Sequence, residues 1–119
     1  MLTPAQIAAI AAKALDEKKA RDVKVLKTTE QTVLADYFVI CNGTSSTHIN
    51  ALVDEVDKQL SEAGEPPMRR EGLRSDIWVL MDFGCVIVHV FTDEARKFYN
   101  LERLWSDAEV VDLSSLPSP

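Results

Sequence analysis

Three short apolar runs constrain the fold of this chain more than any other feature. They are Tyr37–Cys41, Ile77–Met81 and Val86–Phe91, and nearly every position in them is apolar. Runs of this length and composition are typical of strands that are covered on both faces. The residues Asp82-Phe83-Gly84 predict a tight turn with Gly84 at positive φ, so the last two runs should form an antiparallel hairpin. The chain therefore needs a central sheet that is covered on both sides.

Helical patterns lie before, between and after these strands. The clearest helix runs from Ile49 to Leu60, where the apolar residues share one face, and Gly64 should end it. A first helix follows the cap residue Thr3, and a last helix follows Thr92 with the sequence DEARKFYNLERLW. Two helices, each about 10 Å wide, can cover only one face of a sheet whose strands lie about 5 Å apart.

The order of these elements predicts an α/β (α+β) fold, with a mixed sheet of four or five strands packed against two to three helices. Weaker strand patterns in DVKVLK and near Met68 supply the additional strands. The 119 residues suit a single domain, which we place at residues 1–108. Residues 109–119 end in SSLPSP and are expected to form a mobile tail.

The second face of this sheet is expected to stay partly uncovered, because the third helix is shorter than the other two. Exposed apolar surface of this kind usually marks a contact with another protein. Trp78, Leu80 and Asp82 share one face by alternation along their strand. Trp78 is either a core residue or the anchor of an interface, and His89 is either a core residue or a contact residue. We therefore assign Trp78, Leu80, Asp82 and His89 to a candidate partner-binding surface.

Charge and cysteine content narrow the classes of partner and environment. The chain has 13 Lys and Arg residues against 19 Asp and Glu residues, for a net charge of −6. This excess of negative charge opposes broad binding to nucleic-acid phosphates and suits either simple solubility or docking onto a basic protein. Cys41 and Cys85 lie inside apolar runs, as reduced and buried thiols do. Without a signal peptide or an apolar run of about 20 residues, we expect a cytoplasmic protein that binds no membrane.

Candidate groups for catalysis or metal binding are few. Cys41, His48, Cys85 and His89 lack the close Cys-x-x-Cys pair from which structural zinc sites usually start. Cys41 with His48 could form a nucleophile and a base, but a thiol in an apolar strand is expected to be buried. The loop GTSS could cradle a phosphate or simply cap the next helix. Paired strand carboxylates, which a nucleotidyltransferase needs for magnesium, do not occur. We therefore predict no enzyme activity, no cofactor and no metal site.

Four blocks of sequence follow one another between about Asp22 and Ala108. They read DYFVICNGTSSTHI, then REG, then DIWVLMDFGCVIVHVF, then ARKFYNLERLWSDA. Together they resemble the ribosomal silencing factor family, RsfS, also called the Iojap-like family. The most specific stretches of this resemblance are Asp36-Tyr37-Phe38 with Gly43-Thr44-Ser45-Ser46 and His48, then Glu71-Gly72, and the run from Trp78 to Trp105.

The resemblance implies both a function and a fold. Family members bind the large ribosomal subunit through its universal protein numbered fourteen, block joining with the small subunit and so repress translation. Organelle relatives are linked to large-subunit assembly, which leaves an assembly factor as an alternative and a nucleotidyltransferase-like enzyme as a third reading. The family fold is related to nucleotidyltransferases without their catalytic carboxylates, and members often form homodimers when free. Trp78 matches the tryptophan of the family's sheet hairpin, and no sequence-specific binding of nucleic acid is implied.

Overall fold

The computed structural model describes residues 2–28, 35–73, 77–100, 103, 108–112 and 116. Within these residues it confirms the predicted α+β class, with three helices and a mixed sheet. The elements are α1 (Pro4–Glu17), β1 (Arg21–Lys27), β2 (Tyr37–Gly43), α2 (Ser46–Glu62), β3 (Arg69–Leu73), β4 (Trp78–Asp82), β5 (Val86–Thr92), α3 (Asp93–Tyr99) and β6 (Glu109–Val111).

One sheet contains all six of these strands, in the order β3-β4-β5-β2-β1-β6. β2 and β5 run parallel, and every other neighbouring pair is antiparallel. The predicted β4–β5 hairpin is confirmed, because the two strands pair antiparallel and the turn between them places Gly84 at φ +85°. The backbone N–H of Gly84 donates to Oδ1 of Asp82 at 2.7 Å, which closes the turn.

The sixth strand is the difference from the predicted count of four or five. β6 pairs with β1 and places Val110 opposite Leu26. A strand of three residues is too short to show an alternating pattern, so the sequence gives no sign of it. β6 lies in the segment 109–119 that we expected to be a mobile tail, and Leu116 also packs against the core. The sheet therefore extends past the predicted domain boundary at residue 108, and the mobility of the tail stays a prediction.

α1 and α2 cover one face of the sheet, here called the α1–α2 face. Thr3 caps α1 and Pro4 is its first residue, as predicted. Ser45 caps α2 by accepting from the His48 backbone N–H at 3.1 Å, and Gly64 follows the helix at φ +89°. Each fully buried aliphatic side chain contributes about 1.5–3 kcal/mol to folding. The residues fully buried on this face include Leu15, Val25, Val39, Leu52, Val53, Val56, Leu60, Met81, Val88 and Val90.

Gly43 allows α2 to approach the end of β2 closely. A Cβ atom at this position would lie 2.7 Å from Cγ1 of Ile49 and 3.2 Å from its backbone N. We expect Gly43→Ala to lower the free energy of unfolding by about 1–3 kcal/mol, because the helix backbone must shift to admit the methyl group. Urea denaturation measures this change. The exposed helix variant Thr47→Ala is the control, expected within about 0.5 kcal/mol of wild type, and equal stability of both variants would contradict the close approach.

The opposite face of the sheet, here called the α3 face, has less cover. α3 ends at Tyr99 because Asn100 adopts a left-handed conformation at φ 45°, which asparagine tolerates better than most residues. The prediction that this helix continues to Trp105 is therefore wrong at Asn100, and most of the later residues lie outside the described part of the chain. Leu26, Phe38, Ile40, Phe91 and Ala95 are buried on this face, whereas Trp78, Ile87 and Tyr99 are only partly buried.

Candidate docking surface

A half-buried apolar patch lies on the α3 face, where the short helix leaves β4 and β5 partly uncovered. Trp78 and Leu80 alternate along β4, and Ile87 of β5 pairs with Asp82. Tyr99 of α3 packs against Trp78, with ring centroids 4.7 Å apart. We call Trp78, Leu80, Ile87 and Tyr99 the β4 patch. The predicted shared face of Trp78, Leu80 and Asp82 is confirmed by this register.

Phe98 extends the apolar surface along α3. Its side chain is 79% exposed, and its ring lies edge-on to Tyr99 with centroids 5.0 Å apart. A large aromatic side chain this exposed, next to a half-buried patch, is typical of a protein contact. Phe98 could not be singled out from the sequence, because the apolar residues of the predicted last helix form only a partial face.

Charged side chains border the β4 patch on the side of β3. Arg69 lies 3.3 Å from Glu71 and 3.5 Å from Oδ2 of Asp82, measured between side-chain nitrogen and oxygen atoms. Exposed ion pairs of this kind contribute only about 0–1 kcal/mol to stability. Asp82 therefore closes the hairpin turn through one oxygen and faces Arg69 through the other. At the rim of an apolar contact, such charges set the orientation of a partner more than its affinity.

His89 lies beneath the β4 patch rather than on its surface. It pairs with Leu80 across the sheet, is only 5% exposed, and its Nδ1 accepts a hydrogen bond from Nε1 of Trp78 at 3.1 Å. Its ring also packs against Phe38, with centroids 5.3 Å apart. The core interpretation of His89 is the one that this geometry supports. The imidazole fixes the orientation of the indole ring.

The buried imidazole predicts a specific pH dependence. Burial lowers the pKa of His89 from 6.5 to about 4. Folding therefore favours the neutral imidazole. Its contribution to the free energy of unfolding is fully present above pH 6.5, the pKa of histidine in the unfolded chain, and is lost as the pH falls from there toward 4. Between about pH 7 and 5.5 we expect wild type to lose about 1 kcal/mol more than His89→Gln, since glutamine accepts the Trp78 hydrogen bond without titrating. Urea denaturation at both pH values measures this, and parallel losses would contradict it.

Comparison with known proteins decides the family. The model of the family described as "RsfS: Ribosomal silencing factor during starvation" matches residues 2–119. The chain belongs to the ribosomal silencing factor family. The "Ribosomal silencing factor RsfS" of Bacillus subtilis is 43% identical over 104 residues, which cover 87% of this chain and 88% of that protein. The predicted family is thereby confirmed.

A solved structure and an organelle relative extend this comparison. A crystal structure of a Chromobacterium violaceum protein superposes with a TM-score of 0.85, at 34% identity and with 88% of each chain covered. The mouse "Mitochondrial assembly of ribosomal large subunit protein 1" is 36% identical over 95 residues, which cover 77% of this chain and 42% of that protein. The fold that this RsfS-family chain shares with the solved structure therefore covers 88% of its length.

The candidate catalytic groups of this RsfS-family chain are Cys41, Cys85 and His48, and their surroundings suit a structural role. Cys41 is buried, and burial raises the pKa of its thiol to about 12, so the thiolate is not available at neutral pH. Burial also raises the pKa of Cys85. Nδ1 of His48 accepts from the Thr44 backbone N–H at 2.9 Å, and its Nε2–H donates to the Lys18 carbonyl at 2.8 Å, which ties the GTSS loop to the end of α1.

The described residues contain no group of three or more His, Cys, Asp or Glu side chains arranged to hold a metal ion. None of the described helices combines the length and apolar character that crossing a membrane requires.

Proposed function

We propose that the chain binds the large ribosomal subunit through the β4 patch and sterically blocks joining with the small subunit, which represses translation. The observation that carries this proposal is the incomplete cover of the α3 face at Trp78, Leu80 and Ile87. Family membership supplies the partner, because a relative 43% identical to this chain is named a ribosomal silencing factor. A rigid domain that occupies a subunit interface needs no catalytic turnover, so we infer that the chain is not an enzyme. We propose separately that it acts in the cytoplasm.

The contact on the ribosome is proposed to be the universal large-subunit protein numbered fourteen. The chain has a net charge of −6, and opposite charge on a basic ribosomal protein would speed encounter and reject other partners. The β4 patch would supply the desolvated centre of the contact, with Trp78 as its anchor. Arg69, Glu71 and Asp82 would form its polar rim. The relation of the fold to nucleotidyltransferases stays a prediction.

A role in assembly of the large subunit is the second candidate function. It is favoured by the mouse relative, whose name refers to mitochondrial assembly of that subunit. Both functions use the same partner and the same patch, so they differ in the particle that is bound. Preference for immature large-subunit particles over mature ones would favour the assembly role.

The free chain is proposed to form a homodimer through the same apolar patch. Exposed apolar surface such as Phe98 and the β4 patch is best covered by a second copy when no ribosome is present. Dimerisation would then compete with ribosome binding. We expect Phe98→Glu to shift the chain toward monomer in sedimentation equilibrium, because each copy would gain a charge at the contact. An unchanged dimer, or a wild-type chain that is monomeric at every concentration, would contradict this.

Photo-crosslinking tests the proposed contact directly. A benzophenone-bearing phenylalanine in place of Leu80 lies in the β4 patch, and the same residue in place of Val110 lies on the same face at the opposite edge of the sheet. We expect crosslinks from position 80 to the universal protein numbered fourteen on isolated large subunits, and none from position 110. Crosslinks from position 80 to a different ribosomal protein would contradict the assignment of this partner.

A further inference from the structure

A cavity of about 520 Å³ lies along α3, and its lining runs from Asp93 at the start of the helix to Asn100 just after its end. It opens at the carboxyl ends of the parallel strands β2 and β5. The helix after β2 packs on the α1–α2 face, and the helix after β5 packs on the α3 face. In open α/β sheets, a point where successive helices go to opposite faces leaves a crevice in which ligands bind. We call this space the β2–β5 cavity.

The charge around the β2–β5 cavity is opposite in sign to that of the whole chain. Among the described residues that line it, cationic side chains outnumber carboxylates by four to two, in a chain of net charge −6. The cations are Arg21, Lys24, Arg96 and Lys97, and the carboxylates are Asp22 and Asp93. A concave site with an excess of one charge concentrates ligands of the opposite charge.

The floor of the cavity is a buried and ordered polar network. Arg96 is only 8% exposed, and its Nη1 donates to the Asp22 carbonyl at 2.6 Å and to Oδ1 of Asn42 at 2.8 Å. Nδ2 of Asn42 in turn donates to Oδ1 of Asp93 at 2.8 Å. The network therefore fixes the guanidinium group against the end of β2 and joins three elements of the fold.

The backbone of β1 is distorted where it meets this network. The pairing of β1 with β2 is irregular between Arg21 and Lys24, and Asp22 has a left-handed φ of 48°. Bulges and left-handed non-glycine residues are concentrated where a site needs a group placed in one direction. Here the distortion accompanies the hydrogen bond between the Asp22 carbonyl and Arg96.

We propose that the β2–β5 cavity binds the phosphate groups of a small phosphorylated molecule of nucleotide size. Guanidinium and ammonium groups are the side chains that proteins use for phosphate, the first as paired donors and the second as a point charge. The volume falls within the range of about 300–1,000 Å³ that small-molecule sites occupy. A free small molecule fits better than an RNA backbone, because the negative charge of the remaining surface repels a long polyanion.

This site is separate from the proposed docking surface. Arg96, Lys97 and Asn100 line the cavity, whereas Tyr99 of the same helix contacts Trp78. An occupant of the cavity would therefore leave the β4 patch uncovered. The site does not depend on the proposed function, and its test requires no ribosome.

Nuclear magnetic resonance titration of the full chain tests the proposal. The probes are pyrophosphate, adenosine diphosphate and guanosine diphosphate, with adenosine as the phosphate-free control and short oligouridylate as the RNA control. We expect saturable shifts of the Arg96 side-chain Nε–H and the Asn100 amide with the three phosphorylated probes. Adenosine is expected to cause none.

Matched charge reversals locate the binding. The double variant Arg21→Glu with Lys97→Glu changes two exposed cations at the cavity, and Lys13→Glu with Lys58→Glu makes the same charge change in the groove between α1 and α2. We expect the first pair to weaken pyrophosphate binding by roughly tenfold or more and the second to stay within about twofold. If the first pair fails to fold, Lys97→Glu alone replaces it.

Five results would overturn the proposal. They are the absence of saturable shifts up to about 10 mM of the phosphorylated probes, equal weakening by both charge reversals, shifts that map outside the cavity, binding of oligouridylate alone, and equal binding of adenosine and adenosine diphosphate.

Discussion

A Trp78→Ala variant is expected to bind isolated large ribosomal subunits at least about 30-fold more weakly than wild type, a loss of about 2 kcal/mol or more. Tryptophan at the centre of an interface contributes this much because its large ring is desolvated on binding. In the free chain the ring is half-buried, and its orientation is fixed by His89 below and Tyr99 beside it. The side chain is therefore presented in one arrangement before the partner arrives.

Two controls separate a lost contact from a damaged fold. Val110→Ala removes an exposed apolar side chain from the same face, four strand spacings or roughly 19 Å away, and is expected to bind like wild type. Leu80→Lys keeps the Trp78 ring and adds a charge to the β4 patch, so it should weaken binding without loosening the aromatic cluster. Wild-type affinity of a folded Trp78→Ala variant in quantitative co-sedimentation would show that Trp78 is a core residue only.

An Arg96→Met variant is expected to lose about 3 kcal/mol of unfolding free energy. The substitution keeps the apolar stem and removes the guanidinium group that bonds Asp22 and Asn42. The Asn42 side chain is 6% exposed, so its oxygen would be left without this donor in a place that water reaches poorly. Leaving a buried oxygen without a donor costs more free energy than forming the hydrogen bond gains, because the lost hydration of the oxygen is then no longer offset.

The exposed neighbour of Arg96 provides the matched control. Lys97→Met removes a cation from the same turn of α3 without breaking the buried network, and it should change stability by less than about 0.5 kcal/mol. Urea denaturation of the two variants measures the difference. A loss below about 1 kcal/mol for Arg96→Met would contradict a structural role of the network.

Features that depend on neighbouring residues could be predicted from the sequence. The hairpin of β4 and β5 could be predicted because Gly84 and the apolar runs on either side of it lie within a few residues of one another. α2 was accessible for the same reason, since its apolar stripe, its cap and Gly64 act within one segment. The shared face of Trp78, Leu80 and Asp82 followed from the period of a strand alone.

Features that depend on distant partners could not be predicted in this way. The parallel pairing of β2 with β5 joins segments separated by all of α2, β3 and β4, and no local pattern specifies it. β6 forms only because the edge of β1 is available, and a strand of three residues is too short to show a periodic pattern in the sequence. The same limit applies to Arg96. In the sequence it is one charged residue of a polar helix, but in the structure it lies buried against Asn42 and the distorted start of β1.

The candidate site shows both cases. Alternation placed Trp78 on the correct face, but it could not show how far α3 extends over that face. That extent is set by Asn100, whose left-handed backbone ends the helix. His89 shares the face of Trp78 and is nevertheless buried, because its position across from Leu80 brings Phe38 and Trp78 over it. Burial thus depends on side chains from three strands at once.

Light-scattering measurement of subunit joining tests the central claim most directly. Purified large and small subunits are mixed after the large subunits have been saturated with the chain, and the rate and extent of joining are recorded. Steric blocking predicts that joining falls in proportion to occupancy, and that Trp78→Ala restores it while Val110→Ala does not. Unchanged joining by large subunits that co-sedimentation shows to be saturated with the chain would contradict the account.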